Sequence, residues 1–396
     1  MKGAFRDPAV ARFAVAQFLL EVQFWFPVWL IFLDDRGFSI TTAVLADGVF
    51  RLVVVVLEIP LGALADRIGR RTTYLAVAGS SVVVFSAITA IEGATQLFVV
   101  WIAWGALWAL ASGTGQAYGY ELLVRAGGDV GVRQGFGALR AVSSAAVLVS
   151  HLSAGLLYEL FPSAPFALTA VLAAAAFVIA TTLPRVQTRP RRTRGMRQLR
   201  SELSAASRSG LRQALWLAAL TLVAGWTAGV LFQPLVLELD LSPVVASAMY
   251  FGYSASALVA SAVAGRVTPE RRDAVVVSGF AALTFALAST AAFPLAGVAL
   301  FIPLLGFSYH LVTVVLELEV NERAGDAIRA TAFSVVSSAG GLVMFLTRPA
   351  LGSLADARST AVAFGAWAGV CVVLSGAAAY VVARRRPGAS SAQAAR

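Results

Sequence analysis

The sequence has little with which to make a water-facing surface: charged residues are 13% of the 396, hydrophobic ones 59%, and mean hydropathy is +0.79. A soluble domain carries roughly 25% charged residues. A water-soluble globule is therefore excluded, and an integral membrane protein is expected. There is one cysteine, Cys371, within an apolar run, which excludes a disulfide framework and any cysteine-built metal site. The only histidines are His151 and His310, and no His-Glu-x-x-His, Gly-x-Ser-x-Gly or Asp-rich metal motif occurs. A polytopic membrane enzyme thus lacks its nucleophile, base or metal ligands, and no cofactor or metal is expected. Equally absent are a Gly-x-x-x-x-Gly-Lys-Ser/Thr loop and a soluble nucleotide domain, which disfavours a primary pump.

Lysine is nearly missing too. Lys2 is the only one, so arginine does almost all the cationic work, as the coding of a GC-rich bacterial genome favours. The net charge of +10 does not point to nucleic acid, because the basic residues are spread through short loops with no aromatic-interleaved patch. It reads as membrane topology.

What is present is a succession of apolar runs, at roughly 9–33, 41–65, 72–92, 96–124, 134–160, 163–183, 214–240, 242–266, 274–293, 295–320, 329–355 and 359–383. Each reaches the about 20 residues that cross a hydrocarbon layer about 30 Å thick as a helix. Twelve spans are predicted, and the fold class is all-α integral membrane. The opening MKGAFRDPAVARFAV lacks a small-residue cleavage site and runs on into span 1, so it reads as a cytoplasmic tail and not as a removed signal peptide. One polar interval, Pro184 to Arg212, holds nine arginines and separates six spans from six. It predicts a basic cytoplasmic linker over 184–213, with a surface helix around Met196 to Ser207, between halves at 1–183 and 214–383; a tail over 384–396 follows. With the N-terminus inside, 26 of the 31 Lys and Arg fall in inner segments, while only Arg36 and Arg358 lie in outer loops. Both termini are therefore expected in the cytoplasm, in a bacterial cytoplasmic membrane.

Internal repetition is faint but regularly placed. Gly62-x-x-x-Asp66 ends span 2, Gly155-x-x-x-Glu159 ends span 5 and Gly352-x-x-x-Asp356 ends span 11, each the second member of a three-helix unit. Span 8 ends Ala264-Gly265-Arg266 and continues to Arg271-Arg272, so there the basic loop is expected without the acid.

The most informative stretch is LGALADRIGRR, Leu61 to Arg71, wedged between spans 2 and 3. The connection must be short. Gly69 can take the positive φ of a tight reversal, and Gly62 is expected where one helix lies close to another. Arg67, Arg70 and Arg71 hold the turn on the cytoplasmic side, while Asp66 is left to bond a neighbour. Glu121, in YGYELL of span 4, is placed to pair with Arg70 or Arg71, and Glu58 lies nearby on span 2. Glu317, Glu319, Glu322 and Arg323, with Arg329, are the expected counterpart in the second half.

A Gly-x-x-x-Asp-Arg-x-Gly-Arg-Arg pattern between two spanning segments resembles the loop 2–3 signature of the major facilitator superfamily, and the likeness covers essentially residues 5–385. The resemblance implies twelve helices in two six-helix halves with inverted three-helix repeats. It also implies that the motif's Asp and Arg form a cytoplasmic latch between the halves, a role that falls here to Asp66, Arg67, Gly69 and Arg70. A basic loop that only sets topology is the plainer reading. The same resemblance implies that spans 1, 4, 7 and 10 line a central cavity. Two departures weaken the likeness to proton-coupled exporters: the span 4 Arg is missing, Leu107-Trp108-Ala109-Leu110 preceding Gly113-Thr114-Gly115, and span 5 lacks a Gly-Pro signature.

Ionisable groups inside spans cost about 2.5–3.5 kcal/mol each, so each needs a reason. Glu21, in LLEVQFW, lies near the middle of span 1 and is the leading candidate for a proton or substrate site. Asp47 and Arg51 share a face of span 2 at i,i+4, where they line the cavity or simply neutralise each other. His151 and His310 change charge near neutral pH, though a lone intramembrane histidine is commonly a packing residue. Gln23, Trp25, Trp104, Trp108, Tyr118, Trp226, Gln233, Tyr250 and Tyr309 offer an aromatic and amide lining for a bulky amphipathic solute, unless they face lipid. Gly340-Gly341 and Pro349 are expected to interrupt span 11 and allow bending or close packing there.

The reading is a secondary active transporter that moves a small organic solute by alternating access, as a monomer in the lipid bilayer, in proton-coupled efflux through Glu21. Solute uptake and a transporter-like sensor or scaffold are the alternatives.

Overall fold

A computed structural model describes residues 6–127, 129–186, 211–323 and 326–385. The linker helix expected around Met196 to Ser207 lies outside them. Among the described residues the chain is helical throughout, and its helices fall into twelve rods.

In the first six, α1 (Pro8–Glu21) and α2 (Trp29–Asp34) share the first rod. They are followed by α3 (Ile40–Ile68), α4 (Arg70–Thr89), α5 (Ala94–Ala111) with α6 (Thr114–Ala126), α7 (Asp129–Leu160) and α8 (Ala164–Thr181). The second six are α9 (Leu211–Ala228) with α10 (Phe232–Glu238), α11 (Pro243–Ala264), α12 (Arg272–Ala292), α13 (Ile302–Arg323), α14 (Asp326–Ala357) and α15 (Thr360–Ala383). Ten rods are by length and composition able to cross a membrane; the others are the broken first rod and Asp326–Ala357. Large apolar side chains such as Ile59, Leu160, Phe161 and Leu346 point outward, which is stable only against lipid.

Helix ends follow local chemistry. Asp7 caps α1 by accepting from the Ala9 and Val10 amides at 2.7 and 3.1 Å, with Pro8 at the first helical position. Ser39 and Ser359 cap α3 and α15 in the same way. Between α3 and α4 the chain reverses at the single residue Gly69, whose φ of 87° is hostile to any side chain.

The described residues fall into two compact units, those within Met1–Thr193 and Ser242–Phe251, and those within Arg194–Leu241 and Gly252–Arg396. In the first, Phe13, Tyr74 and Tyr118 form an aromatic triad with ring centres 5.4–5.7 Å apart, inside a core that takes in Leu122, Leu139 and Leu183. In the second, α12 packs on α13 and α15, and the Trp367 indole donates to the Ala224 carbonyl at 3.0 Å.

Two packing expectations are corrected. Gly62 is exposed, and a Cβ there would meet nothing within 4 Å. The close approach to α3 is made instead by Gly105 of α5, where a Cβ would sit 2.8 Å from the Phe50 carbonyl oxygen. Gly340, Gly341 and Pro349 do not interrupt their rod, since α14 runs helically through all three, but the close packing expected there is found at Gly340, where a Cβ would come within 2.6 Å of the Leu222 side chain. A proline inside a helix removes one hydrogen bond, and surrounding helices can hold the remaining turns in place.

Candidate functional site

The first unit contains a cavity of about 220 Å³ where two broken helices face each other. Span 1 breaks after Glu21: Val22 is extended, with ψ 107°, and the chain turns irregularly until α2 begins at Trp29. Pro27 in this stretch has no N–H to donate to a helical hydrogen bond. Span 4 breaks at Ser112 and at Gly113, which is left-handed with φ 69°. Thr114 restores a bond across the gap by donating its hydroxyl to the Leu110 carbonyl at 2.8 Å. Irregular backbone at this depth is tolerated where protein or a polar cavity covers it, and both breaks line this cavity.

Glu21 and Gln23 reach the cavity from span 1, and Ser112, Thr114 and Gly115 from span 4. The Glu21 carboxylate accepts from its own helix, Gln17 Nε2 to Oε1 at 2.7 Å. Gln17 in turn lies against α6, since a Cβ on Gly115 would come within 2.6 Å of its Oε1. Trp25 lines the cavity, packed edge-on against Trp104 at 4.4 Å and tilted on Phe85 at 5.8 Å. Tyr74, of the aromatic triad, also lines it. Trp25 is 4% exposed and Tyr74 2%, and neither the indole N–H nor the phenol hydroxyl has a hydrogen-bond partner.

Glu21, Gln23, Trp25, Trp104 and Trp108 are therefore brought together, while the other cavity candidates lie elsewhere. Asp47 and Arg51 are half-buried on α3, with the Arg51 guanidinium 5.2 Å from the Phe50 ring centre. His151 is buried and stacked on Phe26 at 5.4 Å. Gln233 is buried in α10, and His310 packs against Tyr253 and Tyr309 at 5.2 and 5.0 Å. Tyr118 does not line the cavity; its hydroxyl donates to the Pro184 carbonyl at 2.7 Å. The sequence reading missed Gln17 and Tyr74. For Gln17 the signal was available, because residues four apart on a helix share a face.

At the α3–α4 turn, Arg70 bridges Asp66 at 2.8 Å and Glu121 of α6 at 3.6 Å. Arg71 turns away and donates to the Leu183 and Thr181 carbonyls, closing the end of α8. Arg67 is exposed. Glu58 accepts from Ser112 at 3.5 Å.

In the second unit the acid expected to be missing is supplied from three places. Glu322 takes Arg272 in a two-pronged pair, 2.8 Å on one prong, and Glu319 takes both Arg323 and Arg385. Asp273 accepts from Arg385 at 3.4 Å. The Arg329 side chain lies outside those described.

A twelve-rod helical membrane protein whose spans break around a partly enclosed cavity has the architecture of a multi-pass solute carrier. The chain belongs to the Major Facilitator Superfamily, whose family profile matches residues 13–346, and it is a solute transporter of that superfamily. The fold is similar to the nucleoside transporter NupG (TM-score 0.75, 16% identity, covering 94% of this chain and 98% of that one). It is also similar to an auto-inhibited POT family peptide transporter (0.70, 15%, 96% and 98%) and to the human organic anion transporter MFSD10 (0.63, 16%, 96% and 99%). A search of curated proteins by sequence gives no match.

Proposed function

We propose that this protein exports a small organic solute across the bacterial cytoplasmic membrane in exchange for protons, with Glu21 carrying the proton. The observation that supports this most is the placement of one carboxylate, held by Gln17, in a partly enclosed cavity between two broken spans. A half-buried carboxylate without a fixed cation is costly when charged, so it exchanges a proton for another positive partner as access alternates.

In this reading the halves 1–183 and 214–383 rock about the site, joined by the linker 184–213, with both termini and the tail 384–396 in the cytoplasm. Asp66, Arg67, Gly69, Arg70, Arg71 and Glu121 act as a cytoplasmic latch. The transporter works as a monomer. The structural relatives carry nucleosides, organic anions and peptides, so those classes belong in the first flux screen together with organic cations. Proteoliposomes with an imposed pH gradient test the coupling: gradient-driven flux of one panel member is expected, and Glu21→Gln should abolish that drive while leaving downhill exchange measurable. Gradient-driven flux at the wild-type level in a well-folded Glu21→Gln protein would remove Glu21 from the coupling step.

A further inference from the structure

The proposed function leaves the solute open; the cavity lining narrows it. We infer that the cavity selects a monovalent organic cation with a flat apolar body and one hydrogen-bond acceptor, and that this cation competes with the proton for Glu21. The inference rests on the transport reading above.

Charge decides first. Among the described residues, Glu21 is the one charged group on the lining, and no Lys, Arg or His joins it. An anionic solute would meet an uncompensated carboxylate, whereas a cation neutralises it. The neighbouring elements do not change this balance. On α3, Asp47 and Arg51 carry opposite charges one turn apart, and Glu58 accepts from the lining Ser112 and adds negative charge; on α6, Glu121 is engaged by Arg70; on α7, His151 is stacked on Phe26 and Arg140 is exposed; α8 carries no charged residue. Tyr74, from α4, is the one other titratable group on the lining.

The walls then set the shape. Trp25, Trp104, Trp108 and Phe85 present ring faces and edges, and a cation within about 6 Å of such a ring is attracted by its quadrupole. The two unsatisfied donors set the remaining requirement. Leaving a buried donor unpaired costs about 1–3 kcal/mol; the Trp25 N–H and the Tyr74 hydroxyl lie just behind the cavity wall, so a solute whose acceptor reaches them as the wall yields is favoured. A volume of about 220 Å³ admits one ring with a small ammonium head.

The test uses purified protein in detergent and isothermal titration calorimetry, with three probes of nearly one shape: (3-hydroxyphenyl)trimethylammonium, its uncharged isostere 3-tert-butylphenol, and 3-hydroxybenzenesulfonate. The cation is expected to bind at least tenfold tighter than the isostere, and the sulfonate not at all. Cation affinity should fall at least tenfold as the pH is lowered through the titration of Glu21. Glu21→Gln should remove both the preference and the pH dependence, and Glu21→Asp should keep them. Trp25→Phe should weaken the hydroxylated cation more than phenyltrimethylammonium, which lacks the acceptor. Equal binding of cation and isostere, tighter binding of the sulfonate, or no binding of the cation would overturn the inference. If Glu21→Gln does not fold, the wild-type comparison of cation with isostere still decides. Detergent binding needs no proton gradient, so cation selectivity with no gradient-driven flux would sink the coupling alone; gradient-driven flux of uridine with no cation binding would sink the cation alone.

Discussion

Gln17 donates to Glu21 one helical turn further on, Nε2 to Oε1 at 2.7 Å, and thereby fixes the one charged group that the described residues bring to the cavity. A hydrogen bond to a charged group contributes about 1.5–3 kcal/mol. Gln17→Ala and Glu21→Gln should therefore each weaken solute binding, and together by less than the sum of the single losses, with a coupling of about 1 kcal/mol. Additive losses in titration calorimetry would show that the amide and the carboxylate act independently.

Two glycines of the span 4 break should fail differently. At Gly113 a Cβ has open space but φ is 69°, so Gly113→Ala should cost about 1–2 kcal/mol of backbone strain, read as a lower melting temperature. At Gly115 the backbone is helical and the obstacle is the end of the Gln17 side chain. Gly115→Ala should leave the melting temperature nearly unchanged and reduce solute affinity to the level of Gln17→Ala. A large loss of stability in Gly115→Ala would contradict this division.

Arg70 sits between two carboxylates, and its pairs with Asp66 and Glu121 are partly open to water. Exposed ion pairs contribute about 0–1 kcal/mol to stability, so neutralising them should spare folding. Asp66→Asn should slow transport at wild-type expression. Arg70→Ala and Glu121→Ala should each slow it, with the double variant less impaired than additivity requires. Wild-type turnover in Asp66→Asn would remove the latch assignment.

Glu319 is a different case, because it is 2% exposed and held by Arg385 and Arg323. Removing one cation from a buried carboxylate costs up to about 3–5 kcal/mol, and the remaining Arg323 should reduce that to about 1–3 kcal/mol. Arg385→Ala is expected to lower the melting temperature in detergent, and adding Glu319→Gln should restore part of it. No recovery in the double variant would mean that Arg385 acts through packing or through Asp273.

How much of this could be read from the sequence depends on the range of the interaction. The spans were legible because lipid imposes length and apolarity on each segment separately, and Gly69 because a one-residue reversal demands positive φ. Glu21 stood out as a charge in an apolar run. What proline does was not legible: Pro60 and Pro349 lie inside continuous helices, while Pro27 lies in a break. The difference rests on what surrounds the freed carbonyl, and that is a tertiary property. Arg385 was hidden for the same reason, since a cation at the end of the last span finds Glu319 and Asp273 only after α12, α13 and α15 have packed.

The division of span 1 into pieces of 14 and 6 residues bears on how the protein enters its membrane. A segment leaving the translocon alone has no neighbour to cover the carbonyls at Glu21 or the amides beyond it, and in hydrocarbon each such group is costly. The 29-residue α3, with mean hydropathy 2.1 over its most apolar stretch, has no such gap. Anchoring during synthesis is thus expected to pass to α3, and the break at Glu21 is expected to be sheltered only once α5 and α6 have followed it into the membrane.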